Sequence, residues 1–365
     1  MLVAIFLCTG CSSAYKKNME KNAPSFPASS TTNSQYEENL NYLTNCIVMD
    51  FLISNNMFIG LLYDENQSVI NLAKISTEQA IYLQDDFTQT CEILRLGDNR
   101  IALIDYGRNK IVKIYSCSDL ALYNECDLSL YYESSAFKPF TGGDIVVDES
   151  GNICFMVTNK NSQEQIYILR DNETEPTVLY ELDLLNTTDY TLAHITKLLL
   201  LTNDRLYFEG VIQNNGIVAD EITLGYLDLS SGKVVEIQRA DAVSYYVNNR
   251  IIYSQEYQKS PQDSGSGRVF IYNSVNNKLS DLKTESPLES LNGFVSDNGH
   301  YYCSFDNCGD TCKLQVYEVQ SNKLLKSLET KIAVSLNLIS IDSSNRFLYI
   351  SNSGSILKYM EKYNF

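Results

Sequence analysis

The chain has 365 residues, of which 44% are hydrophobic and 20% charged, so it can bury a large core and is not a disordered polyelectrolyte. Its formal net charge of −17 argues against nucleic acid or anionic lipid as the main partner, because phosphate polyanions would be repelled. The 26 tyrosines favour half-buried strands, and the ten cysteines do not form a pair of C-x-x-C motifs.

The first predicted element is an N-terminal targeting segment. The apolar run MLVAIFL is too short to cross a bilayer as a helix, which needs about 20 residues, and it has the minimum length of a signal-peptide core. Thr9 and Gly10 then precede Cys11, and this motif of two small residues followed by a cysteine resembles the lipobox of bacterial lipoproteins. The resemblance implies that the Cys11 thiol receives a diacylglycerol and that the chain is cut before it. Cys8 departs from the family pattern, in which Leu usually stands at that position.

The next segment is polar and lacks periodicity, which is typical of a flexible tether. No Lys or Arg precedes the apolar run, so we expect the true start to lie upstream. The chain is therefore predicted to divide into a truncated signal peptide (1–10), a lipidated Cys11 with a tether (11–35) and a folded domain (36–365). We expect a lipid-anchored protein on the extracytoplasmic face of a bacterial cell membrane. The alternative is a buried N-terminal strand with two incidental cysteines.

From Cys46 onward one phrase recurs, a polar turn followed by alternating apolar residues. Its occurrences are SNNMFIGLLY, GDNRIALIDY, ESGNICFMVT, TNDRLYFEGV, VNNRIIYSQE, SDNGHYYCSF and SSNRFLYISN. Asn, Asp, Ser and Gly tolerate the backbone angles of tight turns, so each phrase predicts a β-hairpin. Two hairpins in roughly 40–50 residues are typical of a four-stranded β-propeller blade.

The sequence therefore predicts an all-β chain with a single β-propeller of seven four-stranded blades, with six or eight blades as alternatives. The last phrase supplies three strands, and we expect the region Tyr36 to Thr44 to supply the fourth and close the ring. The phrases VSDNGHYYCS, IDSSNRFLYIS and VDESGNICFMVT resemble the repeats of YVTN and TolB-like propellers. This resemblance implies the fold more than the function.

Candidate catalytic and metal-binding residues are few. His194 and His300 are the only histidines and are predicted two blades apart, so neither a zinc site nor a Ser-His-Asp arrangement is assigned. A propeller channel can gather carboxylates around Ca²⁺, but no D-x-D-x-D-G loop is present, and solvated carboxylates are the favoured interpretation. We therefore expect no cofactor, and Ca²⁺ is kept as an alternative. Four carboxylates lie in or beside predicted strands: Asp50, Asp105, Asp144 and Asp148.

The segment CSFDNCGDTCKL contains the most distinctive cysteine cluster. If the hairpin turns near Asn307 and Cys308, Cys303 and Cys312 become cross-strand neighbours and could form a disulfide in an oxidising compartment. Pairing of Cys308 with Cys312 is the alternative. A soft-metal site and free thiols are also compatible with the spacing.

For function, the sequence favours a non-catalytic binding or protein-interaction module, a monomeric propeller that docks a protein, peptide or glycan on one face. The loops Ser254–Phe270 and VIQNNGIVADEI are candidate contact regions. One alternative is a metal-assisted hydrolase or lactonase-like enzyme centred on the channel. Another is a structural component of an envelope complex.

Overall fold

The fold is described from a computed structural model. Contacts divide the chain into two units, Met1–Ser34 and Gln35–Phe365, and all described residues belong to the second. The described residues are 46–54, 57–64, 67–76, 80–84, 87–88, 91–97, 99–106, 110–133, 143–158, 163–183, 191–214, 217–241, 243–256, 268–283, 293–308, 311–330, 339–342, 347–351 and 360–365.

The described part is built almost entirely of antiparallel strands, arranged in successive sheets. The first three sheets contain β1 (Cys46–Ser54), β2 (Met57–Asp64), β3 (Val69–Ile75) and β4 (Ala80–Gln84); β5 (Cys91–Leu96), β6 (Arg100–Asp105), β7 (Ile111–Ser116) and β8 (Leu122–Asp127); and β9 (Ile145–Val147), β10 (Ile153–Thr158), β11 (Gln163–Leu169) and β12 (Thr177–Asp183). A short helix, α1 (Ser129–Glu133), follows β8.

The next three sheets have the same meander order. They contain β13 (Thr191–Leu201), β14 (Arg205–Asn214), β15 (Ile217–Asp228) and β16 (Val234–Asp241); β17 (Val243–Asn248), β18 (Ile251–Glu256), β19 (Arg268–Asn273) and β20 (Lys278–Lys283); and β21 (Gly293–Val295), β22 (Tyr301–Cys308), β23 (Thr311–Glu318) and β24 (Lys323–Thr330). The C-terminal sheet contains β25 (Ile339–Asp342), β26 (Phe347–Ser351) and β27 (Met360–Asn364). Among the described residues, no helix is long and apolar enough to cross a membrane.

The predicted β-propeller is confirmed, but the predicted seven four-stranded blades are wrong. Within the described residues, the structure has six four-stranded blades, blades 1 to 6 in chain order, and the C-terminal sheet has three strands. The prediction assigned one four-stranded blade to each polar turn. A polar turn identifies a hairpin of two strands but does not fix how many further strands belong to the same sheet. The proposed closing segment, Tyr36 to Thr44, lies outside the described residues.

The first strand of each sheet forms the inner wall of the propeller. β1 contacts β5 and β25, β13 contacts β9 and β17, and β25 also contacts β21, so the C-terminal sheet lies next to blades 6 and 1. The hydrophobic core is divided among the interfaces between adjacent sheets. Between blades 2 and 3, for example, Ala102 and Ile104 pack with Ile145 and Phe155 in one buried cluster. Each blade thus buries its faces against its neighbours, as expected for a repeat architecture.

The predicted first hairpin turns of blades 2 to 6 are confirmed. Gly97, Gly151, Asn249 and Gly299 occupy the left-handed backbone region in these turns, with φ between 56° and 95°. Glycine and asparagine tolerate this region better than other residues. These turns lie at one end of the propeller, together with the turns between the third and fourth strands, and we call this end the turn end.

Carboxylates connect neighbouring blades at three places, and two of the three are buried. Asp50 in β1 accepts a hydrogen bond from the backbone N–H of Ile93 in β5, with a distance of 2.9 Å. The same contact recurs between blades 3 and 4 and between blades 4 and 5, again at 2.9 Å. An inner strand pairs through only one edge, so these carboxylates satisfy amides on the other edge that would otherwise be buried without a partner. The other two carboxylates are those of Glu164 and Glu209.

The Asp50 carboxyl gives a prediction about pH. Burial raises its pKa to about 7, the nearby Glu92 charge adds to this effect, and the Ile93 and Phe51 amides oppose it. A folded-state pKa above the unfolded value means that the folded chain binds more protons than the unfolded chain. The free energy of unfolding therefore falls as the pH rises between the two pKa values. Between pH 5 and 8, we expect the free energy of unfolding of the wild-type chain to fall by on the order of 2 kcal/mol relative to that of Asp50→Asn. Chemical denaturation of both proteins measures the difference, and a difference that is constant with pH would contradict this assignment.

Candidate functional site

A cavity of 330 Å³ lies at the turn end, where the inner strands of blades 2 to 4 finish and the turns of blades 3 to 5 begin. We call it the mouth cavity. Its lining is mainly polar and includes amides, hydroxyl groups and three arginines. The lining residues are Arg95, Leu96, Val147, Asp148, Glu149, Ser150, Leu200, Leu201, Thr202, Asn203, Asp204, Arg205, Asn249, Arg250, Ser274, Val275 and Asn277.

Local turn chemistry fixes the rim of the mouth cavity. In blade 3, Asp148 accepts hydrogen bonds from the backbone N–H groups of Ser150 and Asn152 at 2.9 and 2.8 Å, and from the Asn152 side chain at 2.7 Å. In blade 4, the Thr202 hydroxyl donates to Asp204 at 3.0 Å. Such side-chain bonds to nearby backbone are the reason that Asp, Asn and Thr favour turns. They hold the rim in a defined shape without a ligand.

Two ion pairs connect distant blades beside the cavity. Arg95 at the end of β5 reaches Asp297 in the β21–β22 turn of blade 6, with 3.0 Å between Nη1 and Oδ2. Arg250 of blade 5 donates from Nε to Glu149 Oε1 of blade 3 at 2.8 Å and makes a second contact through Nη2. Double contact between a guanidinium and a carboxylate fixes orientation as well as charge. The two arginines are therefore held in place between blades.

Arg205, the first residue of β14, has a different environment. Its guanidinium carbon lies 4.6 Å from the ring centroid of Tyr226, and its Nη1 donates to the Tyr207 hydroxyl at 3.4 Å and to Asn277 Oδ1. Its Nε is buried and makes no hydrogen bond with any described residue. Asp204 Oδ2 is the nearby carboxylate oxygen, 3.6 Å from Nε, and its side chain is 71% exposed. Arg205 is thus oriented mainly by neutral groups.

The structure places the predicted carboxylates apart, with structural contacts for each. Asp50 binds the blade 2 backbone, Asp105 accepts from the Thr88 hydroxyl at 2.5 Å, and Asp148 shapes its turn at the mouth cavity. Asp144 lies 3.7 Å from Lys110 Nζ, and burial raises the pKa of the Asp144 carboxyl while Lys110 opposes the increase. Among the described residues, no group of three or more His, Cys, Asp or Glu could hold a metal ion.

The two histidines are not brought together. His194 lies near the start of β13 and pairs through Nδ1 with Glu164, and this hydrogen bond raises the pKa of the histidine. His300 lies in the first turn of blade 6, where its backbone N–H donates to Asn298 at 3.0 Å. The start of an inner strand and the turn that follows such a strand lie at opposite ends of the propeller. No shared histidine site results.

The cysteine cluster is arranged differently from the prediction. The register of β22 and β23 places Cys303 opposite Val316 and Cys312 opposite Asn307, so Cys303 and Cys312 are not cross-strand neighbours. The Cys303 side chain is fully buried. The side chains of Cys308 and Cys312 lie outside the described ones, and pairing between them stays a prediction. Cys11 and most of the Ser254–Phe270 loop also lie outside the described residues.

The sequence interpretation missed the three arginines. A signal was present for Arg205 and Arg250 but not for Arg95, because an arginine directly follows the polar turn in GDNR, TNDR, VNNR and SSNR, whereas Arg95 precedes the first of these turns. The signal is not specific, since Arg100 in the first of these turns instead lies 3.8 Å over the Tyr123 ring and does not line the mouth cavity. Which of these arginines meet at the cavity depends on the arrangement of the blades.

Comparisons with known proteins identify the fold alone. No family model and no curated protein matches the chain. The β-propeller domain of Cps50 (Swd1) from Myceliophteria thermophila is a similar solved structure, with a TM-score of 0.51, 11% identity and coverage of 87% of this chain and 97% of that chain. Hydrazine synthase from Kuenenia stuttgartiensis has a TM-score of 0.49, 10% identity and coverage of 87% and 96%. TolB from Acinetobacter baumannii has a TM-score of 0.37, 12% identity and coverage of 84% and 75%.

The strand topology and the first of these similarities agree that the described part of the chain is an all-β propeller. This confirms the propeller part of the predicted resemblance. The lipoprotein part stays a prediction, since the N-terminal residues that carry it lie outside the described part.

Proposed function

We propose that this chain is a lipid-anchored protein on the extracytoplasmic face of a bacterial membrane and that its propeller binds a ligand at the mouth cavity without transforming it. The observation that carries the binding proposal is the mouth cavity itself, a concave polar site of 330 Å³ that combines three arginines with amide and hydroxyl groups. Its volume lies within the range of about 300–1,000 Å³ that is common for small-ligand sites.

The rigidity of the cavity supports a binding role. The Arg95–Asp297 and Arg250–Glu149 pairs hold two of its arginines, and the bonds to Asp148 shape one wall. Groups that are ordered before binding cost less conformational entropy when a ligand arrives. The side chains at the cavity are therefore suited to recognition.

The chemistry of the lining supports a non-catalytic role. The lining residues, all within the described part of the chain, include no His, Cys, Lys or Tyr. All three lining carboxylates have structural partners, since Asp148 binds turn amides, Glu149 pairs with Arg250 and Asp204 accepts from the Thr202 hydroxyl. General acid–base or nucleophilic catalysis requires a group that can exchange a proton or attack a substrate in the site.

The N-terminal sequence supports the anchor. Thr9 and Gly10 before Cys11 have the small side chains of a lipobox, and a polar segment of tether-like composition follows. A diacylglycerol supplies two acyl chains, which is the number that stable membrane anchoring requires. The net charge of −17 makes electrostatic adhesion to anionic lipid unfavourable, so the lipid would provide the attachment.

Site-specific photo-cross-linking tests the binding proposal. Val275 lines the mouth cavity and is 63% exposed, so a diazirine amino acid at this position should capture a bound ligand in cells that make the protein. The readout is the mass of the peptide that contains position 275.

The matched control is the same substitution at Leu122, which is 50% exposed on the outer strand β8 and does not line the cavity. We expect an adduct of defined mass at position 275 and none at position 122. Equal labelling at both positions, or no adduct at position 275, would refute binding at the mouth cavity.

A further inference from the structure

Resting on the proposed binding function, we propose that the group recognised in the ligand is an oxyanion, a carboxylate or a phosphoryl group, which docks on Arg205 and displaces the Asp204 carboxylate. Carboxylate and phosphate oxygens share the chemistry that a guanidinium recognises, with parallel N–H donors directed at two oxygens. The mouth cavity places such a guanidinium against its wall.

The first observation is that Arg205 is held in one orientation. Its guanidinium stacks over the Tyr226 ring at 4.6 Å, and Nη1 is occupied by hydrogen bonds to Tyr207 and Asn277. These contacts fix the plane of the guanidinium and involve Nη1, so they leave Nε available as a donor. A fixed guanidinium loses less side-chain entropy when it binds an anion than a freely rotating one.

The second observation is the unsatisfied donor. Nε of Arg205 is buried and forms no hydrogen bond with any residue that the structure describes. A buried donor without a partner costs about 1–3 kcal/mol, and more when the group is charged. An oxyanion that accepted from Nε would recover this cost, whereas an apolar or cationic group in the same place would not.

The third observation is the weakness of the internal competitor. Asp204 Oδ2 lies 3.6 Å from Nε, beyond hydrogen-bond distance, and the Asp204 side chain is 71% exposed. An exposed ion pair of this kind contributes about 0–1 kcal/mol. The other two arginines of the cavity have carboxylates within 3.0 Å. Arg205 is therefore the arginine whose carboxylate partner is most easily exchanged.

The test follows the Arg205 Nε–H signal directly. Arginine Nε–H correlation spectra of the full chain are recorded during titration with sodium acetate, and separately with sodium phosphate, against sodium chloride at equal ionic strength. Arg205→Lys assigns the signal by removing it. Arg170 is the control, since it also has an acidic neighbour, Glu173, with 3.3 Å between Nη1 and Oε1, but lies outside the cavity.

We expect a saturable shift of the Arg205 signal with at least one of the two anions and no such shift for Arg170. Asp204→Asn, which keeps an acceptor for the Thr202 hydroxyl, should lower the dissociation constant of that anion at least threefold, because a competing charge is removed. The anion that saturates at lower concentration indicates whether a carboxylate or a phosphoryl group is preferred.

The proposal is overturned if the Arg205 signal follows that of Arg170 with both anions, or if Asp204→Asn weakens binding. If an adduct forms at position 275 but the Arg205 Nε–H signal does not respond to either anion, the oxyanion proposal is wrong and the proposed binding function is still supported. A saturable shift of the Arg205 signal without any cross-linked adduct would support the oxyanion site and count against the proposed function.

Discussion

Replacement of Glu209 by Ala is expected to destabilise the propeller by about 3 kcal/mol or more, because it removes a buried carboxylate that connects two blades. Oε2 accepts from the Tyr245 amide of blade 5 at 2.9 Å, and Oε1 accepts from the Thr196 hydroxyl at 2.7 Å. The side chain is only 8% exposed, so water cannot easily replace either bond. The loss of stability is measured as a shift in the midpoint of urea denaturation.

Two variants serve as controls. Glu209→Gln keeps one oxygen acceptor and should lose roughly half as much stability as the alanine variant. Glu236→Ala removes an exposed carboxylate in the same blade, one that pairs with Arg239 at 2.7 Å, and should change stability by about 1 kcal/mol at most. If Glu209→Ala is as stable as Glu236→Ala, buried carboxylates do not connect the blades as we describe.

Replacement of Cys11 by Ala is expected to move the protein from the membrane fraction to the soluble fraction while the propeller stays folded. The lipid is the only anchor that we propose, and without the thiol no thioether to the diacylglycerol can form. The measurement is the distribution of the protein between membrane pellet and supernatant, together with its thermal denaturation profile.

Cys8→Ala is the matched control, because Cys8 lies within the predicted signal peptide and would be removed with it. It should leave the protein in the membrane fraction. Membrane retention of the Cys11→Ala variant at wild-type levels would show that the lipobox interpretation is wrong. Release by Cys8→Ala alone would show that the acceptor was misassigned.

The hairpins could be predicted from the sequence because their signals are local. Asp148 is followed within four residues by Gly151 and Asn152, and in the structure it accepts bonds from the Ser150 and Asn152 amides. The same applies to Asn249, whose φ of 56° is one that asparagine tolerates. Polar turns between alternating apolar runs therefore predicted both the strands and the propeller.

The number of four-stranded blades and the cysteine register could not be predicted in this way. The hairpin of blade 6 turns after Cys308, which pairs with Thr311, whereas the prediction placed the turn near Asn307 and Cys308. A small displacement of a turn changes every cross-strand partner, so Cys303 came to lie opposite Val316. Turn composition alone does not resolve such a displacement.

The candidate site was missed because its parts come from different blades. Arg95 and Asp297 are 202 positions apart in the sequence, and Arg250 and Glu149 are 101 apart. Glu164 and Glu209 occur within strands, and their burial depends on the next blade rather than on their own sequence neighbours. No local pattern carries this information.

The central claim is that the mouth cavity holds the ligand. The most direct test measures the yield of the cross-linked adduct at position 275 in a variant whose cavity is filled by a large side chain. Ser150 is exposed, lines the cavity and contributes only its backbone N–H to the bond with Asp148, so Ser150→Trp should fill the space while the turn remains. Gln67→Trp is the control, at an exposed turn position outside the cavity where the backbone N–H binds Asp64 Oδ1 at 3.2 Å. We predict that Ser150→Trp abolishes the adduct and Gln67→Trp preserves it, whereas an undiminished adduct in Ser150→Trp would contradict the claim.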